Sequence, residues 1–238
     1  MPDFSLRTLT PELMDTEPSD YETFRACLVD LAAVNTLTLA YRPTLVFFQR
    51  LLSEGRWPMG EPLRVLDVGS GYGDPLRVLA RWAKRRGLYI EITGADLNPF
   101  ATRAAEAATP PDAPIRWRTA DALTLDGPPP DVVTSSLFAH HLSDDDLVRF
   151  IAWSEGAARM GWLVNDLRRS RLSYHGFRLL SRTMGWHRFV QHDGPVSIAR
   201  AFTCEDWKGV LNAAGVPRGA ARIVRRFPFR LCVERTRA

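Results

Sequence analysis

Features that are scarce or missing narrow what this chain of 238 residues can be. It has no uninterrupted apolar run of about 18 residues, so we expect no membrane-spanning helix. Its three cysteines, Cys27, Cys204 and Cys232, stand far apart without a CxxC pair or a Cys/His cluster, which argues against a disulfide framework and a zinc site. The first ten residues lack the apolar stretch of a secretory signal, and we therefore expect a cytoplasmic location.

Lysine is also scarce: only Lys84 and Lys208 occur, so arginine carries almost all of the positive charge. The formal net charge is +4. A nucleic-acid binder usually shows a dense basic stripe with interleaved aromatic residues. Here the arginines are scattered, apart from the stretch 168–188. The preference for arginine over lysine is more typical of a GC-rich coding sequence. We do not expect nucleic acid as a partner.

What the chain does have is a regular alternation of apolar runs and amphipathic stretches. Apolar runs at 63–68, 89–95, 115–118, 131–135 and 162–165 predict strands, and the segments between them have helical spacing. This rhythm predicts an α/β fold with a doubly wound, Rossmann-like parallel sheet. Residues 1–19 are expected to be irregular. Helices are predicted from Asp20 and over 35–54, the second interrupted at Arg42-Pro43 because proline disfavours helix just before it.

The most informative stretch follows the first predicted strand, where Asp67, Gly69, Gly71 and Gly73 form the pattern D-x-G-x-G-x-G. Glycines allow the backbone to approach a ligand where a Cβ atom would collide. Asp74 stands where a dinucleotide-binding turn would need its third glycine. The pattern resembles that of the class I S-adenosylmethionine-dependent methyltransferases.

The resemblance implies S-adenosyl-L-methionine as the cofactor and a seven-stranded, mostly parallel sheet that ends in an antiparallel hairpin at 220–234. It also implies cofactor contacts after successive strands. Asp67 would hold the α-amino group, and Asp121 would meet the adenine or serve only as a turn residue. A carboxylate can accept both ribose hydroxyls, and Asp96 is the candidate. The predicted cofactor-binding residues are Asp67, Gly69, Ser70, Gly71, Gly73, Asp96, Leu97, Asp121, Ala122 and Ser135.

His140 and His141 are the candidate catalytic residues. They follow the fourth predicted strand, at the place that faces the transferable methyl group in this superfamily. Histidine suits a general base because its pKa lies near about 6.5. The segment resembles the corresponding one of ubiquinone- and menaquinone-pathway and secondary-metabolite methyltransferases. Packing against the cofactor is the alternative role, and we expect two adjacent histidines to point in different directions, so that at most one is catalytic.

The resemblance further implies a lid over the cofactor. We predict a helical N-terminal lid over residues 1–60 and a cofactor-binding core over 61–238, with an irregular, arginine-rich lid insertion at about 167–202. Substrate binding is predicted for Asp166, Arg168 and His175, although Asp166 and Arg168 could equally form a structural ion pair. Aromatic residues of the two lid segments either line an acceptor pocket or belong to ordinary core: Tyr41, Phe47, Phe48, Tyr174, Phe177 and Trp186.

These observations favour a small-molecule methyltransferase of secondary metabolism that methylates an oxygen of a phenolic or polyketide-like acceptor. Carbon methylation of a quinone-type ring is the main alternative. Methylation of RNA or protein, or a cofactor-binding regulator, is a further one. No metal is expected, since Asp144, Asp145 and Asp146 are explained as charges at a helix N-terminus. The expected partner is an aromatic small molecule. We expect no association with a membrane, and the protein is expected to be a monomer or a homodimer.

Overall fold

Within residues 3–237, which the computed structural model describes, seven strands form a single sheet. In chain order they are β1 (Leu63–Val68), β2 (Ile90–Asp96), β3 (Ile115–Thr119), β4 (Val132–Ser136), β5 (Gly161–Leu167), β6 (Ala221–Arg226) and β7 (Arg230–Thr236). The spatial order is β3-β2-β1-β4-β5-β7-β6. The first five strands pair in parallel, and β7 pairs antiparallel with both β5 and β6. The predicted fold class is confirmed.

Helices cover the sheet. They are α1 (Leu13–Thr16), α2 (Tyr21–Leu37), α3 (Arg42–Ser53), α4 (Asp74–Lys84), α5 (Pro99–Ala107), α6 (Asp144–Ala157), α7 (Arg171–Thr183), α8 (Arg188–Arg200) and α9 (Cys204–Ala213). Strand β1 shows why the sheet lies between two layers. Leu66 and Val68 belong to one apolar cluster, whereas Leu63 and Val65 belong to another. A strand that is buried on both faces needs apolar residues on both, and β1 has them, with Arg64 and Asp67 as its polar members.

The segment 167–202 was predicted to be irregular, and this prediction is wrong, because α7 and α8 occupy most of it. Pro195 lies inside α8, where proline normally breaks a helix. Gly194 is the close-packing point, since a Cβ there would lie 2.0 Å from the Phe177 ring of α7. Tertiary packing thus explains why a helix forms over residues whose helix propensity is poor. Val34 of α2 packs with Trp186 and Val190 in a small cluster under these helices.

The N-terminal prediction needs two corrections. The second helix was predicted over 35–54 with an interruption at Arg42-Pro43; the break instead covers 38–41, so residues 35–37 belong to α2 and α3 begins at Arg42, with Pro43 in its first turn. Residues 3–19 are largely irregular, as expected, but contain the short helix α1. Asp193 of α8 holds that helix in place, because its carboxylate accepts hydrogen bonds from the backbone N–H groups of Leu13 and Met14 at 2.8 and 3.0 Å.

Among residues 3–237 no single helix has the length and apolar character needed to cross a membrane. The pair α2 and α3 meets that test only when taken together, and the two helices are bent by 62° relative to each other.

Candidate active site

A cavity of about 200 Å³ lies at the carboxyl ends of the parallel strands. This is the edge where ligands bind in doubly wound sheets. Its floor comes from the turn after β1 and from the ends of β4 and β5, with Gly71, Ser136 and Leu167 among the contributors. Helices α2 and α8 and the N-terminal segment cover it, so the cavity lies between the sheet and the lid.

The glycine turn follows β1 with positive φ at Gly69, Gly71 and Gly73. Only Gly71 leaves free space where a Cβ would stand. Its backbone N–H donates to one oxygen of Asp96 at 2.8 Å, and the other oxygen accepts from the Asn98 N–H at 2.9 Å. Each carboxylate oxygen keeps a further lone pair, so Asp96 remains able to accept ribose hydroxyls. An open cradle beside a preoriented carboxylate fits an adenosyl cofactor.

At two of the three positions, packing against an aromatic side chain also requires glycine. A Cβ at Gly69 would lie 2.2 Å from the Phe138 ring, and a Cβ at Gly73 would lie 1.9 Å from the Trp117 ring. Those distances are far below van der Waals contact. Gly69 lines the cavity while Gly73 does not. The motif therefore combines one open ligand cradle with two positions where an aromatic side chain fills the place of a Cβ.

Asp67 is buried beneath the turn and lies outside the cavity wall. The Thr134 hydroxyl donates to it at 2.6 Å. Burial, helped by the charges of Asp74 and Asp96, raises the pKa of the Asp67 carboxyl to about 7, against the lowering effect of the Thr134 hydrogen bond. Asp74 does line the cavity, where it accepts a hydrogen bond from the Asn35 amide at 3.1 Å. Because Asp74 lines the cavity and Asp67 does not, Asp74 is a candidate partner for the cofactor ammonium group that the sequence pattern did not indicate.

Of the remaining predicted cofactor residues, Ser70 lines the cavity, whereas Leu97, Asp121, Ala122 and Ser135 lie outside its wall. Asp121 is exposed and accepts from the Leu123 N–H at 3.0 Å, while Ala122 is buried. Leu97 is 73% exposed after β2. Ser135 is fully buried, and its hydroxyl has no hydrogen-bond partner within residues 3–237. Ser136, the next residue of β4, is the one that lines the cavity.

His140 lies in the cavity wall and is held by Asp166 at the end of β5. One Asp166 oxygen lies 2.7 Å from His140 Nδ1, and the other accepts the His140 backbone N–H at 3.0 Å. Burial alone would raise the pKa of the Asp166 carboxyl, but the His140 charge and hydrogen bonds lower it. An ionised Asp166 keeps the Nδ1 proton, which leaves Nε2 as the basic nitrogen.

His141 also lines the cavity and lies beside His140, with ring centroids 4.4 Å apart. The expectation that the two rings point in different directions is wrong. His141 Nδ1 lies 3.2 Å from an Asp15 oxygen. Burial lowers the pKa of His141, but the Asp15 hydrogen bond and the charges of Glu12 and Asp15 outweigh this and raise it. The two rings face the same way because each has its own carboxylate: Asp166 at the end of β5 for His140 and Asp15 on α1 for His141.

Glu12 belongs to the site although it was not predicted from the sequence. It is 5% exposed and lines the cavity together with the two histidines. Its oxygens lie 3.7 Å from His140 Nε2 and 3.9 Å from His141 Nε2. The Ser197 hydroxyl of α8 donates to it at 2.7 Å. Nothing in the sequence pointed to Glu12, because it stands in a segment without periodic pattern and reaches the site only through packing on α8.

Two arginines brace the histidine turn from behind. Arg7 donates to the carbonyls of His140 and Leu142 at 2.8 and 2.6 Å. Arg200 donates to the carbonyls of His140 and His141 at 3.0 and 2.9 Å. Charge-assisted hydrogen bonds of this kind fix the backbone that carries both imidazoles. The arginine-rich segment therefore serves in part as internal support for the site.

Two predicted substrate-binding residues lie elsewhere. The Arg168 guanidinium lies over the Phe229 ring at 5.6 Å, outside the cavity wall, and within residues 3–237 it forms no ion pair with Asp166. His175 is exposed on α7 and lies outside the cavity wall. Of the aromatic candidates, Phe47 and Phe48 are fully buried in the core, whereas Phe177 lines the cavity. Asp166 belongs to the site, but it acts on His140.

Glu12, His140 and His141 have the composition of a metal site. Each offers one ligand atom, and these atoms lie within 4.8 Å of one another. Two imidazoles and a carboxylate suit divalent transition metals. The same three groups can also exchange a proton without any metal. Asp144, Asp145 and Asp146 lie in the first turn of α6, where Asp144 forms an ion pair with Arg7 at 2.7 Å.

Comparison with known proteins agrees with this arrangement. Residues 65–160 match the family model described as a methyltransferase domain. No curated protein sequence matches the chain significantly. Similar solved structures include the magnesium protoporphyrin IX methyltransferase ChlM from Synechocystis PCC 6803 with bound S-adenosylhomocysteine, at 16% identity and a TM-score of 0.55, with 83% of each chain covered.

Two further structures share the fold. The plantazolicin methyltransferase BpumL, in complex with S-adenosylhomocysteine, has 13% identity and a TM-score of 0.57, with 94% of this chain and 93% of that chain covered. The CMeT domain of the citrinin polyketide synthase has 16% identity and a TM-score of 0.59, with 82% and 51% covered. Residues 65–160 therefore match a methyltransferase domain, and the chain as a whole has the fold of these solved structures.

Proposed function

We propose that the protein methylates an oxygen of a phenolic or polyketide-like small molecule in secondary metabolism, with His140 as the general base. The observation that carries this proposal is the buried Asp166–His140 pair in the cavity wall, with an Nδ1–Oδ1 distance of 2.7 Å. A phenol loses its proton as it attacks a methyl group, and a base at this position accepts that proton.

The chemistry balances with the residues present. When bound, S-adenosylmethionine supplies an electrophilic methyl group on a sulfonium. The acceptor oxygen would take this methyl group, S-adenosylhomocysteine would be the leaving group, and His140 Nε2 would accept the phenolic proton. Asp166 holds the ring in position and stabilises the imidazolium. Glu12, close to Nε2 of both histidines, can receive the proton next and return it to solvent through His141.

Carbon methylation of an activated ring would use the same base and remains the second candidate. A nucleic-acid substrate is less well supported, because the arginine-rich segment is partly internal. Arg169 is buried and donates to the carbonyls of Phe4 and Ala201 at 3.1 and 2.8 Å. Arg200 is buried against the histidine turn. Neither guanidinium is therefore available for a phosphate backbone.

The test is formation of S-adenosylhomocysteine from S-adenosylmethionine with a panel of phenols, their O-methyl ethers and quinols. We expect turnover with free phenols and none with the matched ethers at the same ring position. Turnover of an ether with a new ring C–methyl bond, seen by mass spectrometry and NMR, would favour carbon methylation. Failure of S-adenosylhomocysteine to bind by calorimetry would contradict the cofactor assignment itself.

A further inference from the structure

A second cavity of about 330 Å³ adjoins the first. The two share wall residues from five elements: Val34 of α2, Leu167 of β5, Phe177 of α7, Ile198 of α8 and Arg230 of β7. The other side chains around the second cavity are mostly aliphatic or aromatic. A molecule bound there would therefore reach the histidine cavity, and its apolar part would remain away from the acids around the cofactor.

Arg230 stands at the junction of the two cavities and is 3% exposed. Its Nη2 donates to the Thr38 hydroxyl at 3.1 Å, but Nη1 has no hydrogen-bond partner within residues 3–237. A buried guanidinium group with an unused donor is costly, because the charged group has lost water without replacing it. A ligand oxygen at this place would remove that cost.

The outer rim of the second cavity has an unusual surface. Leu172 is 70% exposed and Phe227 is 77% exposed, and both line the cavity. Leu37 and Leu39 lie on the same rim and are 53% and 43% exposed. Exposed apolar residues that cluster around a cavity mark a binding site more often than scattered ones do. They provide an apolar entrance that leads inward to a single cationic group.

We propose that the second cavity is the acceptor site, and that it takes an amphipathic acceptor with an acidic oxygen on Arg230 and an extended apolar body among Leu37, Leu172 and Phe227. This inference rests on the proposed function, since it supplies the acceptor for the same reaction. Arg230 then determines specificity: it holds a second oxygen of the acceptor while the reacting oxygen faces His140. Neutral acceptors and short acceptors would each lose one half of this recognition.

The test uses protein saturated with S-adenosylhomocysteine and three probes: 4-octylbenzoate, 4-octylbenzyl alcohol and benzoate. Calorimetry should show 4-octylbenzoate binding about tenfold more tightly than the alcohol, because only the carboxylate pairs with Arg230. It should also bind at least about a hundredfold more tightly than benzoate, because each buried methylene tightens binding about fourfold. Equal affinities of 4-octylbenzoate and benzoate would overturn the proposal.

Two variants locate the binding. Arg230→Gln should abolish the preference for the carboxylate over the alcohol. Gly176→Phe should fill the second cavity without touching the first, because Gly176 lines only the second and a Cβ there has nothing within 4 Å. It should weaken 4-octylbenzoate at least about tenfold and leave S-adenosylhomocysteine unchanged. Gly209→Phe, at an exposed helical glycine with equally free space, is the matched control.

The outcomes separate two failures. If S-adenosylhomocysteine does not bind, the proposed function fails before this inference is reached. If it binds but 4-octylbenzoate is indifferent to Gly176→Phe, only the acceptor site is contradicted. Should Arg230→Gln not fold, the probe preference in the wild type and the Gly176→Phe comparison still decide the matter.

Discussion

Asp166 grips His140 with both carboxylate oxygens, one 2.7 Å from the ring Nδ1 and the other 3.0 Å from the backbone nitrogen of the same residue. The end of strand β5 therefore fixes both the main chain and the imidazole of the candidate base. Such a two-point contact sets the tautomer as well as the direction of Nε2, which is what a base needs before the substrate arrives.

From this contact we expect His140→Ala to lower turnover at least about tenfold, with little change in cofactor affinity, since a positioned base contributes to the rate and not to cofactor binding. Asp166→Asn should also lower turnover, because an amide no longer stabilises the protonated ring. Initial rates of S-adenosylhomocysteine formation measure both effects. His175→Ala, an exposed histidine outside both cavities, is the matched control. Full activity in the His140 variant would rule out its role as base.

For the cofactor turn, Gly71→Ala should weaken S-adenosylhomocysteine binding measurably, because φ is +51° at this position and the added Cβ enters the cavity. Gly87→Ala is a close control. Gly87 also has a positive φ, of +64°, and nothing within 4 Å of a Cβ, but it lies after α4 and away from the cavity. Both variants should lose about 1–2 kcal/mol of stability from the left-handed backbone. Equal cofactor affinity in the two variants would argue against the open cradle.

Asp67 predicts a pH dependence of stability in the cofactor-free protein. Its folded-state pKa of about 7 lies above the ordinary value of 3.8, so the folded protein binds more protons than the unfolded chain between these values. Stability therefore falls as the pH rises through that window. Asp67→Asn should have a higher Tm than the wild type at pH values above about 7, and the difference should close towards pH 3.8. The exposed Asp126→Asn is the control in the same thermal scans.

His141 predicts a second pH effect on stability in the same direction. Its pKa is raised in the folded state, so its stabilising contribution is fully present below the ordinary value of 6.5 and is lost as the pH rises through the folded pKa. Asp15→Asn removes a hydrogen bond and a charge, and should lower the pKa of His141. NMR titration of the imidazole resonances measures the change, with exposed His175 as the internal reference. An unchanged His141 titration would contradict the Asp15 contact.

Treatment with a chelator decides between the two uses of Glu12, His140 and His141. For proton transfer we expect EDTA treatment to leave turnover unchanged and added Zn²⁺ or Ni²⁺ to inhibit, because a metal would occupy the Nε2 atoms that the base needs. Loss of turnover with EDTA, restored by one divalent metal, would assign the cluster to metal catalysis instead. Glu12→Gln distinguishes direct effects, since it should weaken metal inhibition.

The part of the candidate site whose position follows from the sequence lies at strand ends. The turn after β1 and Asp96 after β2 were placed because apolar runs predict parallel strands, and the carboxyl ends of such strands meet at one edge. His140 and His141 were located by the same rule. Arg168 lies outside both cavities, because the chain leaves the cavity edge directly after Leu167, whereas Asp166 inside β5 contacts His140. Helices α7 and α8 were missed because Gly176, Gly194 and Pro195 have poor helix propensity, which packing overrides.

The sequence by itself determined the sheet and the glycine turn, because these depend on periodicity and on residues close together in the chain. Only the tertiary structure decided which side chains surround the proposed reaction centre. Glu12, Asp166 and Arg230 are separated by long stretches of chain, and no local pattern relates them. Packing of α8 on the N-terminal segment and pairing of β5 with β7 bring them to one cavity, where burial turns ordinary charged residues into candidate functional groups.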